Sequence, residues 1–210
     1  MSRYTGPVCR LCRRENEKMF LKGERCYTDK CPITKRGKTP GQHGHGTTGK
    51  KVKEYESQLR EKQKAKRIYG LHEAQFKNLF RRGEKMDGMA GVNLLALLER
   101  RLDNVVFRMG MAESRNEARQ LVTHGHFKLN GKKVNIPSLT VKQNDEITLS
   151  DASRSLEKIK GLIENLDNRQ TVDWIEMDKT NIIGKVAKLP TRDDVDFPFQ
   201  EHLIVELYSK

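Results

Sequence analysis

Aromatic residues, prolines and long apolar runs are all scarce in this sequence. Phe, Tyr and Trp make up 6% of the 210 residues, and Trp174 is the single tryptophan. This scarcity argues against a protein that binds single strands mainly by stacking bases on aromatic rings. No apolar run is long enough to form a membrane-spanning helix, and the mean hydropathy is −0.78. The first eight residues contain no apolar signal core, so we expect a protein of the reducing cytosol.

Acidic residues are outnumbered, and the imbalance is concentrated towards one end of the chain. Lys and Arg number 41 against 28 Asp and Glu, which gives a formal net charge of +13. Residues 1–70 carry 19 basic and 7 acidic side chains, residues 71–134 carry 12 and 7, and residues 135–210 carry 10 and 14. An excess of this size implies a polyanionic partner. The acidic last third is expected to face away from that partner or to contact another protein.

Two polyanions fit this charge, a nucleic acid and an anionic membrane surface. A helix that lies on a membrane needs a broad apolar face beside its basic face. The strongly basic stretch 50–67 has only Val52, Tyr55, Leu59 and Ala65 as apolar residues. The sequence therefore favours nucleic acid and predicts no membrane partner.

The four cysteines all lie within the first 31 residues. Cys9, Cys12, Cys26 and Cys31 follow the pattern C-x2-C-x13-C-x4-C, which is typical of a zinc site with two pairs of thiolate ligands. Four protein ligands leave no position for water, so a Zn²⁺ ion here would be structural and would supply folding energy to this segment. Two disulfides, four free thiols and an iron–sulfur cluster are the alternatives, and a reducing cytosol disfavours the disulfides.

Three helices are predicted in the first half of the chain, and Gly70 is expected to end the first of them. We expect helices over residues 53–68, 73–82 and 93–108, the last with a continuous apolar stripe. Residues 37–51 are rich in glycine and are expected to form an extended loop, in which His43 and His45 contact backbone or phosphate.

A compact unit of one helix and a hairpin is expected next. Ser114 and Glu117 have the capping-box spacing that begins a helix. Asn130-Gly131 predicts a tight hairpin turn, because both turn positions need positive φ. Further strands are expected near residues 139–141 and 147–149, followed by a helix over 155–167 and a terminal strand over 203–208.

These elements predict an α+β fold. It consists of a four-cysteine zinc knuckle at the N-terminus, a helical lobe, and an inserted module of a helix and a small antiparallel sheet. We expect residues 1–50 to be the zinc-binding extension and basic loop. Residues 51–98 are expected to form the helical lobe and to pack with residues 168–210, while residues 99–167 form the inserted module.

The inserted module carries basic and amide side chains on one side. Arg115 and Arg119 are four residues apart and project from one helix face, with Asn116 next to them, and Lys128 and Lys132 flank the hairpin turn. Groups of this kind bind the phosphates and 2′-hydroxyls of structured RNA. A solvated polar face is the alternative for these residues alone, and the basic N-terminal part favours RNA.

Several segments resemble a known family. Residues 99–110, 114–126 and Asn130-Gly131 closely resemble the RNA-binding module named after ribosomal protein S-four (S4), which also occurs in pseudouridine synthases, tyrosyl-tRNA synthetases and a heat-shock protein. Essentially the whole chain resembles the bacterial S4 family itself, in its four-cysteine form. Beyond the module, the resemblance is carried by Arg3-Tyr4, Gly6-Pro7, the four cysteines, residues 40–43, 59–63 and 68–70, Gln75-Phe76 and residues 203–208.

This resemblance implies a structural, non-enzymatic component of the small ribosomal subunit in the cytoplasm. It implies binding to the five-prime domain of small-subunit ribosomal RNA early in assembly, contact with small-subunit protein five near the messenger entry channel, and a contribution to translational accuracy. Members of the family commonly repress their own messenger RNA, and the resemblance also implies help in unwinding incoming messenger RNA. The resemblance also implies that the four cysteines bind one structural Zn²⁺.

The residues expected to contact RNA are basic or polar and come from all three predicted regions. They are Arg3, Arg10, Arg13, Arg14, His43, Arg60, Lys62, Lys64, Arg67, Arg100, Arg101, Arg115, Asn116, Arg119, Lys128 and Lys132.

Two other functions could use the same module. An RNA-modifying or aminoacylating enzyme would need a catalytic domain, and the roughly sixty residues after residue 150 are too few for one. The second alternative is an RNA-binding translational repressor that acts away from the ribosome.

Overall fold

The computed structural model describes residues 4–42, 53–166 and 172–209. The chain divides into two units, Met1–Gly91 with Pro198–Lys210, and Val92–Phe197. Helices combine with one antiparallel five-stranded sheet, which confirms the predicted α+β class. Arg3, His43, His45 and most of the predicted loop 37–51 lie outside the described residues.

The N-terminal part of the first unit consists of short helices. Helix α1 spans Cys9–Glu15, a 3-10 helix spans Gly23–Cys26, and α2 spans Pro32–Arg36. Helix α1 ends at Asn16, whose φ of 54° is left-handed. Helix α2 has proline at its first position, where the missing N–H has no intrahelical partner to lose. We call residues 4–42 the knuckle.

The predicted basic helix and the helix after it are both present in the first unit. Helix α3 spans Glu54–Ile68 and α4 spans Glu73–Glu84. Gly70 follows α3 with a φ of 62°, which is the left-handed conformation that a helix C-terminus favours. His72 is a poor residue for beginning a helix, but Gln75 compensates, because its side-chain oxygen accepts the His72 backbone N–H at 3.3 Å.

The terminal segment is a helix, so the prediction of a strand over 203–208 was wrong. Helix α10 spans Glu201–Tyr208, and it packs against α3. Gln58 donates to Glu206 at 3.0 Å, and the Gln200 backbone N–H donates to Glu61 at 3.1 Å. The Tyr208 ring lies 4.6 Å from that of Phe80. The β-branched, apolar local sequence favours a strand, but these contacts stabilise a helix instead, because tertiary packing overrides intrinsic propensity.

Glu73 makes the first unit sensitive to acid. Burial raises the pKa of Glu73, but hydrogen bonds from Lys62 (2.7 Å), Lys66 (2.9 Å) and Tyr208 (2.9 Å) outweigh it and lower that pKa to about 2. Because the folded pKa lies below the ordinary value of 4.5, this stabilisation is complete above pH 4.5 and is lost as the pH falls towards 2.

We therefore expect Glu73→Gln to flatten the pH dependence of stability between pH 4.5 and 2. Urea midpoints measured at several pH values in that window test this expectation. A variant whose midpoint falls with acid as steeply as the wild type's would contradict it.

The apolar stripe over residues 93–108 forms two helices rather than one. Helix α5 spans Ala90–Glu99 and α6 spans Leu102–Arg108. At the break Arg101 is extended, with φ −70° and ψ 137°, and it forms a β-bridge with Thr140. The Leu102 and Asp103 N–H groups donate to the carbonyls of Leu139 and Pro137 at 2.8 and 3.1 Å. These long-range bonds replace helical ones, so periodicity alone could not reveal the break.

The predicted helix and hairpin of the second unit are present. Helix α7 spans Arg115–Thr123, and the Ser114 Oγ accepts the Glu117 N–H at 3.3 Å. Strands β1, Phe127–Leu129, and β2, Lys132–Val134, pair in antiparallel fashion. Asn130 and Gly131 have φ of 49° and 77°, which confirms the predicted turn.

The sheet is larger than the sequence suggested. Strands β3, Glu146–Leu149, β4, Ile175–Asp178, and β5, Ile183–Val186, complete the order β2-β1-β3-β5-β4. The strand predicted near residues 139–141 was wrong, because these residues form only an isolated β-bridge, between Thr140 and Arg101. The helix predicted over 155–167 is present as α9 over Glu157–Glu164, and a separate short helix, α8, precedes it over Asp151–Arg154.

Strands β4 and β5 also change the division of the chain. From the sequence we expected all of residues 168–210 to pack with the helical lobe. In the structure, residues up to Phe197 belong to the second unit. The physical reason is that β5 pairs with β3, and Trp174 is fully buried in the apolar core of that unit. The tail from Pro198 alone joins the first unit.

Candidate nucleic-acid interface

Three lysines gather on the hairpin of the second unit. Lys128 on β1 lies directly opposite Lys133 on β2, and Lys132 is next along the strand. Lys132 and Lys133 are exposed. Like charges in a cross-strand pair repel each other, and Asp151 offsets only Lys128, at 2.7 Å. The hairpin therefore presents positive charge that an outside anion could neutralise.

Arg115 is held in a defined position at the start of α7. Its Nε donates to the Asn104 side-chain oxygen at 2.8 Å, and its guanidinium lies 4.5 Å from the centre of the Phe107 ring. Asn104 is itself fixed by Glu99, whose carboxylate accepts the amide of Asn104 at 2.7 Å. A preorganised guanidinium of this kind is suited to phosphate recognition. Asn116, the next residue, is half-buried.

Arg101 and Arg119 are internal, in contrast to the surface positions expected from the sequence. They are 3% and 5% exposed. Arg101 makes two bonds to the Asp103 carboxylate, at 3.1 and 2.9 Å, and Arg119 lies 3.7 Å from the same group. The face of α7 that carries Arg119 packs on α6, and Arg101 lies in the extended break before α6. This geometry does not favour direct RNA contact by either residue. Half-buried Arg100 donates to the Val141 carbonyl at 3.0 Å.

The basic side chains of α3 are paired with carboxylates. Arg60 and Arg67 both contact Glu15, and Lys64 contacts Glu17 and Glu61 at 2.9 and 3.0 Å. Burial raises the pKa of Glu15 even though both arginines oppose the shift. Lys62 is buried against Glu73. These cations mainly tie α3 to its neighbours, which the charge pattern alone could not reveal.

The knuckle presents basic side chains around α1. Arg10 and Arg14 are exposed, and Arg13 is half-buried. The Arg13 Nε atom is buried, and no hydrogen-bond partner for it is found in the described ranges.

Sequence reasoning missed a basic row on α4. Lys77, Arg81 and Lys85 are spaced four apart, Arg82 is next to them, and all four are exposed. None forms an ion pair with another described residue. The four-residue spacing, which places side chains on one helix face, was the signal that could have identified them.

The four cysteines surround one small pocket. Cys9, Cys12, Cys26 and Cys31 line it together with Lys22, Arg25, Pro32 and Ile33. All four are free thiols, and the Lys22 backbone N–H donates to the Cys26 sulfur at 3.4 Å. Burial raises the pKa of Cys12 and of Cys26.

The cysteine side chains are not gathered at coordinating distances. Among the described residues, no group of three or more His, Cys, Asp or Glu side chains is arranged to hold a metal ion. The shared pocket and the absence of a coordinating arrangement are compatible. Side chains can line one pocket without placing four sulfurs about 2.3 Å from one point, as zinc requires. Side-chain rotation within the pocket would have to bring the sulfurs together.

No described helix is both long and apolar enough to cross a bilayer.

Comparisons with known proteins identify the family. The Ribosomal protein S4/S9 N-terminal domain matches residues 3–99, and the S4 domain matches residues 100–147. The small ribosomal subunit protein uS4 of Clostridioides difficile is 61% identical over 210 residues, which is the whole of both chains. Proteins of the same name from Thermoanaerobacter sp. and Pelotomaculum thermopropionicum are 58% and 57% identical, again over the whole of both chains. This chain therefore belongs to the ribosomal protein S4 (uS4) family.

Proposed function

We propose that this chain is a structural component of the small ribosomal subunit that binds ribosomal RNA through basic surfaces on both units. The observation that carries the proposal is the contrast between buried and exposed cations. Arg101 and Arg119 are buried and both pair with Asp103, while the α4 row and the hairpin residues Lys132 and Lys133 face solvent with no described acidic partner. Family membership identifies the polyanion as ribosomal RNA and the place of action as the cytoplasmic ribosome.

The proposed binding rests on shape and phosphate contacts. Exposed lysines and arginines release counterions from RNA when they neutralise phosphates. Arg115, fixed by Asn104 and Phe107, would contribute a directed contact. No step of this role requires catalysis, so the proposed function is structural and not enzymatic.

The finer parts of the proposal follow from the resemblance. The RNA is the five-prime domain of the small-subunit transcript, bound early in assembly, and the protein neighbour is small-subunit protein five. Exposed carboxylates in the last third, among them Asp173, Glu176 and Asp193, suit a contact with a basic protein. Contact with messenger RNA and a contribution to translational accuracy complete the proposal.

A salt titration tests the phosphate mechanism. We expect the double substitution Lys132→Ala with Lys133→Ala to weaken binding to the small-subunit transcript and to reduce the slope of log affinity against log salt by roughly two. Binding is measured by filter retention or fluorescence anisotropy between low and moderate salt.

The control for this test is Lys188→Ala, an exposed lysine of the acidic last third. It should leave both affinity and slope unchanged. A double variant with the wild-type slope would exclude the hairpin from the interface. If the wild-type chain protected no part of the transcript in a footprint, the proposed function itself would fail.

We further propose that the four cysteines bind one structural zinc ion. Four thiol donors around one pocket fit the preference of zinc for soft ligands. The N–H donated to the Cys26 sulfur suits a thiolate, and Lys22 and Arg25 offset the formal charge of −2 that four thiolates and Zn²⁺ would carry. When bound, the ion would supply folding energy rather than chemistry.

A further inference from the structure

Two aromatic rings form a stacked pair on the surface of the knuckle. The ring centres of Phe20 and Tyr27 are 4.9 Å apart, with an angle of 29° between their planes. Phe20 is 37% exposed and Tyr27 is 75% exposed. Such rings normally gain their stabilisation from burial, so most of the Tyr27 surface is available to another group.

The backbone holds Phe20 in this exposed position. Its φ is 50°, a left-handed conformation that is uncommon for a residue with a bulky side chain. The residues on either side, Met19 and Leu21, are both buried. These two anchors fix the chain, and Phe20 is left at the surface against Tyr27.

The chain segment that carries the ring pair is basic. Residues 4–38 contain ten Lys and Arg against four Asp and Glu. Lys22, Arg25 and one acidic residue, Glu24, lie between the two aromatic residues in the chain, and all three are exposed. An aromatic ring flanked by cations matches the chemistry of a nucleotide, whose base offers a π-face and whose phosphate offers negative charge.

We propose that the outer face of Tyr27 stacks against an unpaired base of the bound RNA, while Lys22 and Arg25 contact the adjoining phosphates. This inference rests on the proposed function and adds a local base contact to it. It also refines the expectation from composition. Stacking is not the main mode of binding in a chain with few aromatics, but one platform is present.

A fluorescent substitution tests the stacking directly. Trp174 is fully buried and gives a constant background, so Tyr27→Trp introduces one exposed indole. We expect its emission to be quenched, and its accessibility to acrylamide to fall, when the full-length chain is titrated with the small-subunit transcript. Leu189→Trp is the control, because Leu189 is an exposed apolar residue of the acidic last third and no RNA contact is proposed there.

Affinity measurements separate stacking from charge. We expect Tyr27→Leu to weaken binding roughly 5- to 100-fold with an unchanged salt slope, and Tyr27→Phe to bind like the wild type. Lys22→Ala should instead lower the slope by about one. Circular dichroism and thiol reactivity of each variant check that the knuckle is intact.

The outcomes distinguish this inference from the function on which it rests. If the wild type binds the transcript but Tyr27→Trp is not quenched, or Tyr27→Leu binds as tightly as wild type, the stacking platform is wrong and the proposed function stands. Quenching of Tyr27→Trp by a neighbouring ribosomal protein and not by RNA would also overturn it. If the wild type does not bind the transcript, both fail.

Discussion

We expect Glu99→Gln to lower the free energy of unfolding by about 3 kcal/mol, because it removes one partner of a buried ion pair. The Glu99 side chain is fully buried and accepts two bonds from Arg108, at 2.8 and 2.9 Å, and one from Asn104 at 2.7 Å. A glutamine keeps the volume but loses the charge and one acceptor. Arg108 then retains its contact with Asp196, an exposed carboxylate, which offsets only part of the loss.

Urea unfolding followed by the fluorescence of buried Trp174 measures this effect. Asp151→Asn is the control, since Asp151 pairs with Lys128 at an exposed site and exposed pairs contribute little. Its urea midpoint should match that of the wild type. The double variant Glu99→Gln with Arg108→Met should recover part of the loss, because no buried charge is left unpaired. A wild-type midpoint for Glu99→Gln alone would show that the pair does not stabilise the fold.

Glu99→Gln also links the stability of the fold to RNA binding. Asn104 orients Arg115, and Glu99 orients Asn104. Loss of the Glu99 charge should therefore loosen Arg115 and weaken RNA binding even under conditions where the chain stays folded. The buried Glu99 carboxylate thus supports a surface group that it does not contact directly.

The elements that the sequence predicted correctly are those encoded locally. Helix α7 begins at Ser114 because a side-chain oxygen is available for an orphan N–H. The hairpin turns at Asn130-Gly131 because those two residues tolerate positive φ. Helix α3 ends before Gly70 because glycine readily adopts the left-handed conformation of a helix C-terminus. In each case the deciding interaction lies within a few residues of the chain.

The elements that the sequence did not predict are those decided by distant residues. The break before α6 depends on bonds to Leu139 and Pro137, about thirty-five residues away by chain order. Strands β4 and β5 form because β5 pairs with β3, and helix α10 forms because it packs on α3. Local patterns do not contain this information.

The same limit applies to the candidate interface. The sequence shows that Arg101, Arg119 and the cations of α3 are charged, but not which carboxylates neutralise them. Pairing with Asp103 and Glu15 decides which cations remain for RNA. Spacing therefore identified candidates, and burial separated the structural cations from the exposed ones.

Loss of the proposed zinc ion is expected to unfold the knuckle while leaving the second unit folded. The cysteine pocket joins α1, the 3-10 helix and the first residue of α2, so it ties together three short helices that share little apolar core. The buried apolar residues there, apart from the cysteines, are Met19 and Leu21. Metal binding in small zinc domains contributes on the order of 10 kcal/mol to folding, which is more than these two side chains could supply.

Substitution of one cysteine is the test. Purified native protein should contain one zinc per chain, and Cys26→Ser should lose it, expose the remaining thiols to reagent and make residues 4–42 sensitive to protease. Thr34→Ala, an exposed change on α2, should do none of these. RNA affinity should fall in Cys26→Ser because Arg10, Arg14 and the Tyr27 platform lose their fixed positions. Native protein with no metal and four reactive thiols would instead show that the knuckle folds by packing alone.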